Sequence, residues 1–242
     1  MYIFWLLILA HFIADFPLQS DKIFALKSRY SWGVLPHIFI SFITNLVIAF
    51  PYFGSNNFWI AMVFLAVVHF LLDWMKIVLI QKWLGDSLFT FLFDQVLHLL
   101  SIWICCYYLF TIPLPEIENS FILTYYLNKK IIIVLIGLVF SIFGGGVLIY
   151  YIRKMIHQIK TNEPGDLVIF PNANKRRIGY FERFFSTSAT ILGGWFFVLV
   201  PVAFLPRLVF QEKAEKRESL VMNLVAGLAI SLSIGLVVRF LW

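Results

Sequence analysis

The sequence predicts an all-α polytopic membrane protein with about seven transmembrane helices. Two observations predict this class. The chain has 242 residues, of which 61% are hydrophobic and only 13% are charged, a balance unlike that of soluble globular proteins. Apolar runs long enough to cross about 30 Å of hydrocarbon also recur along its whole length. We expect hydrophobic helices near residues 2–16, 34–53, 58–80, 88–111, 130–152, 184–206 and 219–241.

Prolines, glycines and polar stretches set the expected boundaries of these helices. The first helix should end at Pro17, and the second should begin at Pro36, because proline suits the first turn of a helix. A polar hinge at 51–57 separates the second helix from the third. The sixth helix contains Gly193-Gly194 and two later prolines, so we expect it either to span the membrane or to be re-entrant.

Polar segments divide the chain into three expected regions. Residues 1–112 form an N-terminal four-helix bundle, residues 113–129 form an extracytoplasmic loop, and residues 130–242 form a C-terminal membrane region. The last region contains a basic cytoplasmic loop at 153–183. With the N-terminus outside and the C-terminus inside, about two thirds of the 19 Lys and Arg residues fall on the inner side, as the positive-inside rule requires.

Four of the five histidines lie within predicted helices, and three of these have an aspartate four residues away. Residues four apart share one face of a helix. An aspartate at the bilayer centre costs about 2.5–3.5 kcal/mol on insertion scales, so such residues indicate function by default. The pairs are His11/Asp15, His69/Asp73 and Asp94/His98, and the fourth histidine is His37.

The predicted topology places these residues on one side of the membrane. Two pairs lie toward the ends of the first and third helices, which run inward. His37 and the third pair lie near the starts of the second and fourth helices, which run outward. All of them should therefore reach one pocket near the cytoplasmic boundary of the four-helix bundle.

Imidazole and carboxylate groups suit Zn²⁺, Mn²⁺ or Fe²⁺, and helix bundles build metal sites from such inward-facing side chains. We therefore expect a divalent transition metal. Its expected ligands are His11, Asp15, His37, His69, Asp73, Asp94 and His98.

Other residues on the same faces predict catalysis and substrate binding. We expect Asp73, Asp94 and Lys76 to be catalytic, since a carboxylate that is not needed by the metal can act as a general base. Gln19, Lys76 and Gln95 are expected to bind an anionic substrate head group. Lys76 alternatively extends its ammonium group to the membrane interface.

At these residues the chain resembles an uncharacterised family of bacterial multi-pass membrane proteins, a domain of unknown function. The resemblance rests on three segments and on the histidine between them. It implies a bacterial inner-membrane location, and its His/Asp motifs are similar in style to those of membrane-bound metal-dependent hydrolases. A later segment, Ile178–Arg183, resembles a part of longer family members in which Glu182 and Arg183 pair. The three segments are A-H-F-I-A-D-F-P-L-Q (Ala10–Gln19), H-F-L-L-D-W-M-K (His69–Lys76) and D-Q-V-L-H (Asp94–His98).

Three functions remain open at the level of the sequence. The first is a metal-dependent hydrolase or transferase that acts on a membrane lipid, or on a lipid-linked phosphate or ester, from the cytoplasmic leaflet. The second is a proton- or ion-coupled transporter that uses the His/Asp pairs as a relay. The third is a non-catalytic scaffold in which the pairs join helices by hydrogen bonds. Nucleic acid is not an expected partner, because topology explains the net charge of +6, and the sequence does not identify a protein partner.

Overall fold

A computed structural model describes most of the chain. The described residues are 2–80, 83, 85–109, 128–162, 165, 168, 170–171, 173–207 and 217–241. Within these ranges all regular secondary structure is helical, which confirms the all-α part of the predicted fold class. Nearly all of the expected loop at 113–129 lies outside the described residues. The chain divides into two compact units, Met1–Ile132 and Ile133–Trp242.

Within the described residues, the first unit contains five complete α-helices. They are α1 (Tyr2–Asp15), α2 (Asp21–Arg29), α3 (Leu35–Ile48), α4 (Asn56–Met75) and α5 (Leu88–Leu109). A short 3₁₀ helix, Ser31–Val34, precedes α3, and a π-helical turn, Lys76–Ile80, continues α4.

Four of these helices form a closed ring. Helix α1 packs against α3 and α5, and α4 packs against the same two helices. The core between them is apolar and includes Leu6, Leu7, Phe58 and Met62, each at most 1% exposed. Close packing of such side chains supplies van der Waals contacts that hold the helices of the ring together.

Helix α2, which the sequence did not predict, lies between α1 and α3 in the chain. Ser20 caps its N-terminus, because the side-chain hydroxyl accepts a hydrogen bond from the backbone N–H of Ile23 at 3.4 Å. The helix contacts the 3₁₀ helix and α3. The sequence analysis missed α2 because its composition is polar and its length is short, and it therefore carries no membrane-span signal.

The predicted number of transmembrane helices is not confirmed. Within the described residues, four helices are long and apolar enough to cross a membrane, which is consistent with a membrane protein. Three further apolar helices are shorter. The four long helices are Asn57–Val78, Leu88–Tyr108, Lys129–Thr161 and Ser219–Leu241, and the shorter ones are Tyr2–Asp15, Trp32–Ile48 and Gly194–Arg207.

The described α-helices of the second unit are α6 (Lys129–Val139), α7 (Gly145–Thr161), α8 (Ala173–Leu192), α9 (Leu199–Val202) and α10 (Arg217–Leu241). The boundary between the two units falls within α6. A π-helical turn, Phe140–Gly144, joins α6 to α7. In the core of this unit α8 packs against α10, and α7 also contacts α10.

Two segments of this unit have helix boundaries that differ from the expected ones. The sixth helix, predicted at 184–206, is interrupted after Leu192, because Gly193 and Gly194 have φ values of +67° and +58°, which glycine adopts without steric cost. The expected loop at 153–183 is helical at both ends, since α7 extends to Thr161 and α8 begins at Ala173. Lys, Arg and Gln are good helix formers, so a charged sequence does not mark the end of a helix.

The approach of the 3₁₀ helix to α2 generates the first prediction. A Cβ atom added at Gly33 would overlap the carbonyl oxygen of Leu26, which is backbone and cannot rotate away. We expect Gly33→Ala to lower the free energy of unfolding by about 2 kcal/mol, a typical cost of overpacking. Gly54→Ala is the matched control, because an added Cβ there meets nothing within 4 Å. Thermal unfolding in detergent compares the two variants, and equal stabilities would contradict the prediction.

Candidate metal centre

The ring of helices brings all seven expected ligands together at one end of the bundle. They come from the last turns of α1 and α4, the first turn of α3 and the N-terminal half of α5. Their side chains are all at least 92% buried. The cluster, called here the His/Asp cluster, consists of His11, Asp15, His37, His69, Asp73, Asp94 and His98.

One half of the cluster is centred on two imidazoles that face each other. The Nε2 atoms of His37 and His69 lie 3.2 Å apart. The Oδ1 atom of Asp15 lies 3.4 Å from His37 Nε2 and 3.8 Å from His69 Nε2. The same oxygen is 3.4 Å from Nδ1 of His11. Two ring nitrogens and a carboxylate oxygen therefore converge on one point from three different helices.

Asp73 lies at the centre of the cluster and is fully buried. Its Oδ2 atom is 3.7 Å from His37 Nε2 and 3.6 Å from His69 Nε2. Its Oδ1 atom faces the other way, 4.0 Å from His98 Nε2. The ammonium group of Lys27, on α2, lies 2.6 Å from Oδ2. One carboxylate thus contacts residues from three other helices.

The other half of the cluster is formed by α5. His98 Nδ1 lies 2.8 Å from the backbone oxygen of Asp94, and a ring N–H donated to that oxygen leaves Nε2 with its lone pair. Lys76 donates a hydrogen bond of 2.9 Å to Asp94 Oδ2, and Gln95 donates one of 3.2 Å to the same oxygen. Lys76 therefore contacts the cluster and does not extend away from it.

Several buried nitrogen and oxygen atoms of the cluster have no hydrogen-bond partner among the described residues and could bind a metal. Within the described part of the chain, the buried atoms His11 Nε2, His98 Nε2, Asp15 Oδ1 and Asp73 Oδ1 form no hydrogen bond. A buried polar group without a partner costs about 1–3 kcal/mol. Three overlapping sets of three residues have ligand atoms within 4.8 Å of one another. The donor set of neutral nitrogens and carboxylate oxygens suits a divalent transition metal.

Two residues beside the cluster were not identified from the sequence. Lys27 was counted only as a cytoplasmic charge, and the hydroxyl of Ser41 lies 3.2 Å from Nδ1 of His69. Lys27 does not stand four positions from any Asp or His of the cluster. Ser41 is four residues after His37, but it contacts His69 on a different helix, so neither contact could be derived from local spacing. For Gln19, which was expected to bind substrate, the described residues show no contact with the cluster.

The second unit has a separate set of buried charges. Glu182 accepts hydrogen bonds of 2.8 and 3.1 Å from Nε of Arg207. Arg183 donates instead to the backbone oxygens of Ser141 and Ile142, which belong to the π-helical turn before α7. The resemblance implied that Glu182 and Arg183 pair with each other; among the described residues, the Glu182 carboxylate accepts hydrogen bonds from Arg207.

The buried ion pair of Lys27 and Asp73 generates the second prediction. Lys27→Met should lower the free energy of unfolding by about 3 kcal/mol, because it leaves a buried carboxylate without its cation. Lys22→Met, on the exposed part of the same helix, should change it by less than about 0.5 kcal/mol. The double variant Lys27→Met/Asp73→Asn removes both charges and should recover part of the loss. Thermal unfolding in detergent measures all three, and equal losses in Lys27→Met and Lys22→Met would contradict the prediction.

Comparison with known proteins identifies one family. Its description is "Protein of unknown function (DUF3307)", and it matches residues 3–127. The match therefore includes every residue of the His/Asp cluster together with Lys27 and Lys76. No curated protein matches the chain, and no solved structure matches it. Because the matched region covers more than half of the sequence, the chain belongs to this family of unknown function.

Proposed function

We propose that this protein is a membrane-embedded, metal-dependent hydrolase or transferase. Its substrate is a lipid, or a lipid-linked phosphate or ester, reached from the cytoplasmic leaflet. The observation that carries the proposal is the convergence of four imidazoles and three carboxylates in one buried cluster, some of whose nitrogen and oxygen atoms have no hydrogen bond among the described residues. A cluster that served only to join helices would be expected to satisfy these atoms internally.

The proposed cofactor is a divalent transition metal, either Zn²⁺, Mn²⁺ or Fe²⁺. The ligands come from His11, His37, His69 and His98 and from the three aspartates of the cluster. A bound cation of this kind supplies Lewis-acid polarisation of a phosphoryl or acyl oxygen. The backbone oxygen of Asp94 and the hydroxyl of Ser41 orient two of the imidazoles, as outer groups commonly do for ligating histidines.

The remaining polar residues supply substrate binding and proton transfer. Lys76 and Gln95 both contact the Asp94 carboxylate, so their donor groups are positioned to bind an anionic head group at the same place. Either Asp73 or Asp94, whichever carboxylate the metal does not use, acts as general base, because each has an oxygen beside an imidazole of the cluster. Gln19, which is partly exposed, contributes at most to the outer edge of this surface.

The proposed location is the bacterial cytoplasmic membrane, with the N-terminus outside and the C-terminus inside. Charge supports this orientation: Lys22, Lys27 and Arg29 lie in the segment that follows α1, and Lys76 lies at the end of α4. Positively charged residues collect on the cytoplasmic side of membrane helices. The His/Asp cluster lies at the same helix ends and therefore faces the inner leaflet in this orientation.

A proton- or ion-coupled transporter is the second candidate. Two buried Lys–Asp pairs next to four imidazoles provide titratable groups in continuous contact, as proton relays require. Buried Thr44 and Asn45 also extend the polar residues of α3 beyond His37 and Ser41. The burial of these two polar residues is the observation that favours a path for protons or ions through the bundle.

Loss of metal should abolish the proposed activity. In mixed micelles containing lipid phosphate monoesters, phosphate diesters and carboxylic esters, we expect the purified protein to hydrolyse at least one of these classes. A chelator should stop the reaction, and added Zn²⁺ or Mn²⁺ should restore it. Asp73→Asn should lower turnover at least about a hundredfold, since it removes the carboxylate that contacts both halves of the cluster.

His157→Ala is the matched control for this experiment, because His157 lies on α7 in the second unit and outside the cluster. Its activity should equal that of the unmodified protein. Hydrolysis that persists in chelator, or that is equally fast in Asp73→Asn, would contradict the proposal.

The transport alternative makes a different prediction. In proteoliposomes with an imposed pH gradient, a transporter would show proton flux that Asp73→Asn abolishes and His157→Ala leaves unchanged. For a hydrolase or transferase we expect no such flux above that of empty liposomes. A pH-sensitive dye inside the vesicles measures the difference, and a flux sensitive to Asp73→Asn would favour the transporter.

A further inference from the structure

The His/Asp cluster contains more donors than one metal ion can use. Four imidazoles and three carboxylates lie within it, whereas a tetrahedral transition-metal site takes four ligands and a catalytic one takes three protein ligands. Two groups of these potential metal ligands also lie around different points of the cluster. The inference that follows rests on the proposed function, because it concerns the metal content of the same cluster.

The first group consists of one atom from each of four residues. Five of its six interatomic distances are known, and they range from 3.2 to 3.8 Å. Ligands that are about 2.0–2.1 Å from a tetrahedral Zn²⁺ lie roughly 3.3 Å from one another. These five distances are therefore close to the ligand spacing of a tetrahedral site. The four atoms are Asp15 Oδ1, His37 Nε2, His69 Nε2 and Asp73 Oδ2.

The second group has three members: Asp73, Asp94 and His98. His98 Nε2 is buried and forms no hydrogen bond among the described residues, and Asp73 Oδ1 lies 4.0 Å away from it. The Nδ1 atom of the same ring lies against the Asp94 backbone oxygen, which leaves Nε2 as the nitrogen available to bind a metal. Three protein ligands are the number typical of a catalytic zinc site.

Asp73 belongs to both groups through different oxygens. Its Oδ2 atom lies with His37 and His69, and its Oδ1 atom lies toward His98. A carboxylate whose two oxygens face two donor groups has the geometry of a bridging ligand. We propose that the cluster binds two divalent transition-metal ions, one in each group, and that the Asp73 carboxylate bridges them.

The neighbouring lysines are compatible with this arrangement. A carboxylate has about four lone-pair positions, so Asp73 Oδ2 can accept from Lys27 and still bind a cation. Lys76 contacts Oδ2 of Asp94, and Oδ1 of that carboxylate lies 3.7 Å from Nδ1 of His98. With two divalent cations and two lysines against three carboxylates, the centre has excess positive charge. A phosphate group, which is anionic, therefore suits it better than a neutral ester.

Metal stoichiometry tests the proposal without an activity assay. The purified full-length protein in detergent is analysed by mass spectrometry for metal content per chain. It is then stripped, reloaded with Mn²⁺ and examined by electron paramagnetic resonance. We expect two ions per chain and the spectrum of an exchange-coupled Mn²⁺ pair, because ions in two-metal sites lie about 3.5–4 Å apart.

Three variants locate the two ions. His98→Ala should retain one ion and lose the exchange-coupled spectrum, because it removes a ligand of the second group only. Asp73→Asn should lose the coupled spectrum through loss of the bridge. His157→Ala, the control outside the cluster, should match the unmodified protein. Circular dichroism and size-exclusion chromatography confirm that each variant is folded.

The possible outcomes separate this inference from the proposed function. Two coupled ions per chain would support both. One ion in the unmodified protein, with an uncoupled Mn²⁺ spectrum, would overturn the two-metal centre and leave a metal-dependent enzyme. The absence of any stoichiometric ion, before and after reloading, would overturn both. The measurements on the unmodified protein decide among these outcomes even if a variant fails to fold.

Discussion

The structure of the first unit depends on the burial of ionisable side chains inside an apolar helix bundle. Asp73 has no exposed surface, and the cluster around it has almost none. A charge in such surroundings is tolerated only when it is paired, hydrogen-bonded or bound to a metal. The ends of four helices must therefore meet at the same level, and α2 must fold back so that Lys27 reaches Asp73. The apolar core stabilises the bundle, but the polar cluster allows only one register of its helices.

The same constraint bears on the proposed chemical role of the cluster. A single His–Asp hydrogen bond between two helices would satisfy both partners. Here the Asp73 oxygens face three imidazoles at 3.6–4.0 Å, in addition to the Lys27 ammonium group at 2.6 Å, while other ring nitrogens have no hydrogen bond in the described part of the chain. The contacts with the imidazoles are too long to be strong hydrogen bonds and leave space for a cation between the atoms. The proposed metal site would account for these long contacts.

The second unit uses a different solution for its buried charges. Glu182 is paired with Arg207, and Arg183 donates to the backbone oxygens of Ser141 and Ile142 at a π-helical turn. Such turns leave carbonyl groups available and are frequent at functional sites. The family match ends at residue 127, so it covers the His/Asp cluster but not this set of charges. Each unit therefore has its own buried polar network, and the proposed chemistry belongs to the first.

Local periodicity was sufficient to identify much of the site. The spacing of four residues in His11/Asp15, His69/Asp73 and Asp94/His98 places each pair on one helix face, whatever the tertiary structure. Alternation of helix direction then placed all three pairs and His37 at one end of the bundle. Composition and the length of the apolar runs also determined the all-helical class and the presence of helices long and apolar enough to cross a membrane. It did not determine the number of spans, because length and hydropathy do not establish whether a short or broken apolar helix crosses a bilayer.

Only the tertiary structure decided which atoms face one another. Lys27 and Ser41 are far in sequence from the residues they contact, on α4, and no repeat or spacing connects them. The two directions of the Asp73 carboxylate likewise follow from the packing of α3, α4 and α5 and not from any motif. Periodicity within a helix is a property of the local backbone and can be derived from the sequence. The orientation of side chains across helices depends on how the helices pack, and this required the structure.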